Sequence, residues 1–171
     1  LMLLHGAPLA NPESREKHGL KTRFRVVARD VGNYTGEPVV ELEEMVVETP
    51  IFSFEDYLET RVFHLLLTIF YYEGNVEEAF EFAAEHGIKP FDLVVRMQQL
   101  LNEAPAGFRK VIDDFVEESQ QELFDTREEC TAWAVEHMDG LIDGSVGGNL
   151  LSKYSMLGRF YATKDGLDFL E

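Results

Sequence analysis

Histidine, cysteine and carboxylate side chains are the groups of this sequence that could do chemistry. The chain has five histidines, and no two of them stand four residues apart, which is the spacing of a metal-binding pair on a helix. Its single cysteine, Cys130, can form no internal disulfide and cannot alone hold a zinc ion or an iron–sulfur cluster. The sequence therefore predicts no metal site and no catalytic residue within this chain.

His5 differs from the other histidines in its position. It follows the apolar run Leu1–Leu4 and precedes glycine and proline, so it lies where a strand is expected to end in a turn. Such strand ends are common places for residues that face a ligand. His64 lies in the most apolar segment, where a buried, hydrogen-bonded histidine is expected. His86 and His137 fall near expected helix C-termini, where a cation is favoured without any function.

Three other features favour structural roles. The Gly-rich segment 144–149 leads into a helix but lacks the lysine and the preceding strand of a phosphate-binding loop, so we interpret it as a hinge. Cys130 follows two glutamates, which should raise the pKa of its thiol and disfavour a reactive thiolate. Pairs of acidic residues fall on the polar faces of expected helices, where a solvated surface is the ordinary explanation.

Charge and composition exclude several classes of partner. The formal net charge is -17, from 32 acidic and 15 basic side chains, and it opposes binding to nucleic acid or to anionic lipid. The longest central apolar run, residues 62–72, is interrupted by His64 and is shorter than the roughly 20 residues of a membrane span. The first residues do not follow the pattern of a signal peptide. We therefore expect a soluble, cytoplasmic protein with no nucleic-acid or membrane partner.

A cluster of basic residues near the N-terminus is the local exception to this acidity. We interpret it as a docking element for an acidic surface, either within this chain or on a neighbouring domain. Its strongest docking candidates are Arg23, Arg25 and Arg29, and its other members are Arg15, Lys17 and Lys21.

Alternating apolar and polar residues predict two strands in the first 50 residues. These cover Thr22–Arg29 and Val39–Thr49, separated by a loop over residues 30–38. The first strand is basic and the second acidic, which suits cross-strand pairing in a hairpin. We expect this arm to be poorly covered in the isolated chain, or to pack on a second copy as a homodimer.

From residue 51 the spacing of apolar residues becomes helical. The predicted fold class is mainly α, with a helical domain of five or six helices over residues 51–171 and an N-terminal extended arm or β-hairpin within residues 1–50. The helix from Ser53 to Tyr72 should be central, because apolar residues occupy most of its surface. The other predicted helices cover about Val76–His86, Phe91–Asn102, Phe108–Phe124, Arg127–Met138 and Asn149–Tyr161.

Four pieces of the sequence carry a resemblance to a known family. They are Leu1–Leu9, Lys17–Val26, Glu44–Thr49 and Phe52–Arg61. In order and spacing they resemble the C-terminal part of radical SAM enzymes that carry an N-terminal cobalamin-binding domain. In that family an apolar strand with a Leu-Leu-x-Gly-Thr type of turn closes the partial barrel. A Gly-Leu-Lys-Thr-Arg-Phe-Arg segment, a Val-Val-Glu-Thr strand and a helix beginning Ser-Phe-Glu-Asp-Tyr follow.

The sequence departs from that family in two places. His5-Gly6-Ala7-Pro8 replaces the usual Pro-Gly-Thr turn, and the three-cysteine motif that binds the iron–sulfur cluster is absent. The resemblance thus implies an accessory C-terminal piece of a radical SAM enzyme that is not catalytic alone. Its partner would be the barrel of the parent chain.

The resemblance also implies cofactors in the parent and a candidate residue in this chain. The parent would use a four-iron four-sulfur cluster, S-adenosylmethionine and cobalamin, with no cofactor in this piece. As the turn after the last barrel strand, His5 is the substrate-proximal candidate. A helical protein-interaction module without enzymatic function is the alternative that the residues leave open.

Overall fold

The computed structural model describes residues 1–72 and 76–165, apart from the side chains of residues 28, 29, 33, 38 and 163–165. The chain is mainly helical with an antiparallel hairpin near its N-terminus, as predicted. Its described elements are a 3-10 helix (Pro8–Ala10), α1 (Pro12–His18), β1 (Lys21–Tyr34), β2 (Glu37–Glu48), α2 (Phe54–Leu66), a π-helix (Leu67–Tyr72), α3 (Glu77–Glu85), α4 (Pro90–Gln99), a second 3-10 helix (Leu101–Glu103), α5 (Ala106–Gln121), α6 (Arg127–Glu136), α7 (Met138–Asp143) and α8 (Leu150–Asp165).

The chain forms two compact units. The first consists of residues 1–57 and 119–149, and the second of the described residues within 58–118 and 150–171. Residues on both sides of position 50 therefore share the first unit. No helix among the described residues has the length and apolar character needed to cross a bilayer.

The hairpin of the first unit is longer than predicted. Residues expected to form a loop continue β1 to Tyr34, and the turn consists only of Thr35 and Gly36. Both turn residues have positive φ, at 55° and 91°, which matches the right-handed twist of paired strands. The register of the two strands shifts between Val26 and Val31, which is a β-bulge or irregularity within the hairpin.

Both edges at the base of the hairpin are covered within the chain, so the expectation of a poorly covered arm is wrong there. Phe24 of β1 and Phe124, which follows α5, exchange two main-chain hydrogen bonds of 2.8 Å. Main-chain groups of Leu1 and Leu3 hydrogen-bond to β2, also at 2.8 Å. The covering residues come from distant parts of the sequence, which strand periodicity cannot identify.

The second unit is built around α2 and the π-helix, which confirms the predicted central position of this segment. Leu65, Leu66, Ile69, Val94 and Phe115 are almost completely buried in its core. The predicted single helix to Tyr72 changes to π geometry after Leu66. A side chain at position 158 of α8 would overlap Ile69. Because Gly158 has no side chain, α8 can lie close to the π-helix.

Capping residues fix several predicted helix starts. Ser53 and Asp56 exchange side-chain and main-chain hydrogen bonds of 3.1 and 2.7 Å at the start of α2. Thr126 and Glu129 form the predicted capping box of α6, with both hydrogen bonds at 3.2 Å. The predicted cap at residues 74–75 lies outside the described residues.

Two short helices and one histidine differ from prediction. The helix α1 buries no residue, so it lacks the hydrophobic period that would have predicted it. The helix α7 was not predicted; it directly precedes the Gly-rich segment 144–149 and ends at Gly144, which has a left-handed conformation. His64 is exposed rather than buried, because the apolar stripe of α2 faces the core on its other side.

Candidate functional site

The turn that contains His5 is exposed in the first unit. The predicted strand Leu1–Leu4 is reduced to an isolated bridge between Met2 and Met45, after which the chain turns at His5 and Gly6. Gly6 has a φ of 84°, which favours glycine, and Ala7 N–H donates to Leu4 C=O at 3.0 Å. No side-chain hydrogen bond or ion pair of His5 occurs among the described residues, so its imidazole is available to a ligand.

A guanidinium ties the segment after this turn to the hairpin. Arg15 of α1 forms a bidentate ion pair with Glu44 of β2, in which Nη2 lies 2.7 Å from Oε2. Arg15 Nε also donates to Ala10 C=O at 2.8 Å, and Thr22 Oγ1 donates to Glu44 Oε1 at 2.7 Å. The Arg15 hydrogen bond, with a smaller contribution from Thr22, lowers the pKa of Glu44 below its usual value against the effect of burial.

Arg25 joins the hairpin to the end of α5. Its Nε donates to Glu43 Oε2 at 2.8 Å, and its Nη1 donates to Glu122 Oε1 at 3.0 Å. Burial opposes the charged guanidinium, but the two glutamates outweigh that effect and raise the pKa of Arg25 above its usual value. This half-buried cluster is therefore charged and internally paired.

The docking candidates differ in their surroundings. Arg23 pairs with Asp125 at 3.0 Å and lies over the ring of Phe54, 4.8 Å from its centroid. Arg25 is paired as well, whereas the side chain of Arg29 lies outside the described residues. Two of the three candidates thus engage acidic groups of this chain, the first of the two possibilities left open by the sequence. Within the described residues, no hydrogen bond or ion pair links either arginine to His5.

Cys130 is a packed thiol. Its side chain is completely buried, and burial raises its pKa to about 11, with Arg127 acting weakly in the opposite direction. The predicted rise in the pKa of Cys130 is confirmed. Its cause, however, is burial of the thiol and not the neighbouring glutamates. Such a thiol is a poor nucleophile near neutral pH.

The buried Tyr154 has a similar packing role in the second unit. Its hydroxyl donates to Glu118 Oε1 at 2.8 Å, and the same carboxylate accepts from Lys153 at 2.6 Å. Burial and the hydrogen bond to Glu118 both raise the pKa of Tyr154. Among the described residues, no group of three or more histidine, cysteine or acidic side chains could hold a metal ion.

The second unit also contains a cavity of about 350 Å³ at the start of α5, which no pattern in the sequence indicated. Arg109, Lys110 and Asp113 are among its lining residues. Arg109 donates to the main-chain carbonyl of Asn102 at 3.3 Å, and Lys110 pairs with Asp114 at 2.8 Å. The lining combines two cations with one carboxylate, and both cations already contact groups of this chain, so the cavity specifies no class of ligand.

Neither protein-family models nor curated protein sequences give a match to this chain. The resemblance to radical SAM enzymes therefore rests on the residues that carry it.

Proposed function

We propose that this chain is a C-terminal accessory region of a radical SAM enzyme, not catalytic alone, whose His5 turn faces the substrate cavity of the parent barrel. The observation that supports this proposal is that the four separate pieces of sequence that resemble the family contact one another in the first unit. The contacts bring together residues of all four pieces, from Leu3 to Phe54.

These contacts involve each piece. The main-chain N–H of Leu3 in the first piece donates to Glu44 C=O of the third at 2.8 Å. Arg23 of the second piece lies over Phe54 of the fourth, 4.8 Å from the ring centroid. Thr22 of the second piece donates to the Glu44 side chain at 2.7 Å.

The cofactors of such an enzyme do not fit this chain. A radical SAM cluster needs three thiolates and leaves one iron open for S-adenosylmethionine, and the chain has one cysteine. The proposal therefore assigns the cluster, S-adenosylmethionine and cobalamin to the rest of the parent, in the cytoplasm. This chain would contribute the turn and the surface that supports it.

The coding sequence upstream of Leu1 provides a direct test. The proposal expects a Cys-x-x-x-Cys-x-x-Cys motif in the same reading frame, within a segment of alternating strands and helices. An upstream reading frame without the three cysteines would contradict it.

Substitution of His5 tests the position of the turn. In the full-length parent, His5→Ala should reduce turnover without lowering thermal stability, because the side chain is exposed and makes no hydrogen bond among the described residues. The matched control is His18→Ala, an exposed histidine of α1. Equal turnover in the two variants, at equal iron and S-adenosylmethionine content, would refute the role of His5.

The docking role of the arm is best tested at Arg29. Replacing Arg23 or Arg25 by glutamate would also break ion pairs of this chain, so stability and docking would change together. Arg29→Glu should weaken association with the separately expressed barrel, more strongly at low salt. Unchanged association at low salt would show that Arg29 has no docking role.

A helical interaction module without enzymatic function is the second candidate. Three large apolar side chains on the outer surface of α8 favour it, namely Met156, Leu157 and Phe160, which are exposed. Exposed apolar side chains at helical spacing are typical of contact surfaces. An upstream sequence without the cysteine motif would favour this candidate over the first.

A further inference from the structure

The end of α3 and the start of α4 expose three large apolar side chains within ten residues of sequence. They are Phe82, Ile88 and Phe91, all on the second unit. The helix α3 already contributes Phe80 and Ala83 to the buried side, so Phe82 lies on its outer face. An aromatic ring that is 63% exposed on a helix is a candidate contact residue.

Three carboxylates surround Phe82 on this outer face. Glu78, Glu81 and Glu85 stand at positions -4, -1 and +3 relative to Phe82, and all three are exposed. Residues three or four apart on a helix have Cβ atoms about 5–6 Å from each other, so Glu78 and Glu85 flank the ring closely. Within the described part of the chain, none of the three glutamates forms an ion pair.

Some glutamates elsewhere in the described part of the chain are paired with cations. Glu43, Glu44 and Glu122 bind arginines in the first unit, and Glu118 binds Lys153 in the second. The outer face of α3 therefore combines an exposed aromatic ring with carboxylates that no described cation pairs with.

We propose that this face of α3 binds a basic amphipathic segment of a partner protein, with an arginine of that segment placed over Phe82. A guanidinium within about 6 Å of an aromatic centroid is attracted to the ring face, and here the flanking carboxylates can accept its N–H groups. The chain forms such pairs itself, since Arg61 lies 5.3 Å from the centroid of Phe115.

His86 holds the ring in place for such a contact. Its imidazole lies 4.2 Å from the Phe82 ring, and its Nδ1 lies 2.8 Å from the Phe82 carbonyl oxygen. One side of the ring is thus occupied by His86, and the guanidinium takes the other. Ile88 and Phe91 extend the surface for apolar side chains of the same segment.

The charge of the chain selects this occupant over others. A second copy would also carry a net charge of -17, and nucleic acid or anionic lipid would add negative charge to an acidic face. A basic segment neutralises the glutamates, and its apolar side covers the exposed rings. The inference is independent of the proposed function, because α3 lies outside the four pieces that carry the family resemblance.

The test uses the full chain and a fluorescent amphipathic helical peptide that places arginine and leucine on opposite faces. Fluorescence anisotropy should show binding that weakens with added salt, and a peptide with glutamate in place of arginine should not bind. Phe82→Ala should weaken binding about fivefold. Phe82→Leu should weaken it less, because leucine keeps the apolar contact and lacks only the aromatic ring. The double substitution Glu81→Gln and Glu85→Gln should weaken binding and flatten its salt dependence.

Tyr34→Ala is the control, since Tyr34 is an aromatic residue that is 66% exposed on β1, outside α3 and α4. It should leave binding unchanged. Equal binding of the arginine and glutamate peptides, unchanged binding by Phe82→Ala, or an equal loss in Tyr34→Ala would each overturn the proposal. Circular dichroism of each variant confirms that the helices are retained.

Discussion

Replacement of Arg15 by methionine tests how the segment after the His5 turn is held to the hairpin. Methionine keeps much of the aliphatic stem but removes the bidentate ion pair with Glu44 and the hydrogen bond to Ala10 C=O. The side chains of Arg15 and Glu44 are 32% and 17% exposed, so the pair is neither fully solvated nor fully buried.

The expected loss of stability follows from that intermediate exposure. An exposed ion pair contributes about 0–1 kcal/mol, and a hydrogen bond to a charged group about 1.5–3 kcal/mol. We therefore expect Arg15→Met to lower the free energy of unfolding by about 1.5 kcal/mol. For a chain of this size that is a fall in melting temperature of about 3–6 °C.

The loss of stability in Arg15→Met should be larger near neutral pH than in acid. The pKa of Glu44 is lowered from 4.5 in the folded chain, chiefly by Arg15. A carboxyl group with a lowered pKa contributes stability that is present above its ordinary value and disappears as pH falls through the folded value. Wild type and variant should thus differ most near neutral pH and converge below about pH 4.5.

Trp133 makes this measurement specific to the first unit. It is the only tryptophan, and its ring stacks on His137 with centroids 4.4 Å apart and contacts Phe124 at 5.6 Å. Urea denaturation followed by its fluorescence should show the loss in Arg15→Met and none in Lys17→Met, which removes an exposed charge from the same helix. Equal stability of the two variants, or a difference that grows in acid, would refute the reasoning.

Three further predictions concern packing. Gly158→Ala should destabilise the second unit by about 1–3 kcal/mol because its Cβ would overlap Ile69. Adding Ile69→Val should restore part of the lost stability, as measured by urea denaturation followed by circular dichroism. Cys130 should resist a thiol reagent at pH 8 until the chain unfolds, and rapid labelling of the folded chain would contradict its burial and its raised pKa. Tyr154→Phe should cost about 1 kcal/mol by removing the hydroxyl that donates to Glu118, and an unchanged denaturation midpoint would show that this bond is not stabilising.

Local chemistry made several elements predictable. The alternation of basic and acidic residues predicted the pairing of β1 with β2, which the register of Arg25 opposite Glu43 confirms. The capping residues Ser53 and Thr126 predicted the starts of α2 and α6 within one residue. These signals act over a few residues, so the sequence displays them directly.

Contacts between distant residues could not be predicted in this way. The pairing of Phe24 with Phe124 and of Arg25 with Glu122 joins segments about 100 residues apart, and no local pattern specifies it. The acidic character of the chain indicated carboxylates as contacts for the basic cluster, but not which carboxylates Arg23 and Arg25 would bind. The exposure of His64 depends on which face of α2 is directed to the core, and the apolar residues on both sides of this helix do not reveal that direction.

The iron and acid-labile sulfide content of the polypeptide encoded continuously with this chain, purified without oxygen, tests the proposed function most directly. The account predicts about four iron and four sulfide per chain, lost when the three upstream cysteines are replaced by alanine. It also predicts that residues 1–171 alone bind neither, since they contain only Cys130. A full-length polypeptide that binds no iron after reconstitution would contradict the assignment to a radical SAM enzyme.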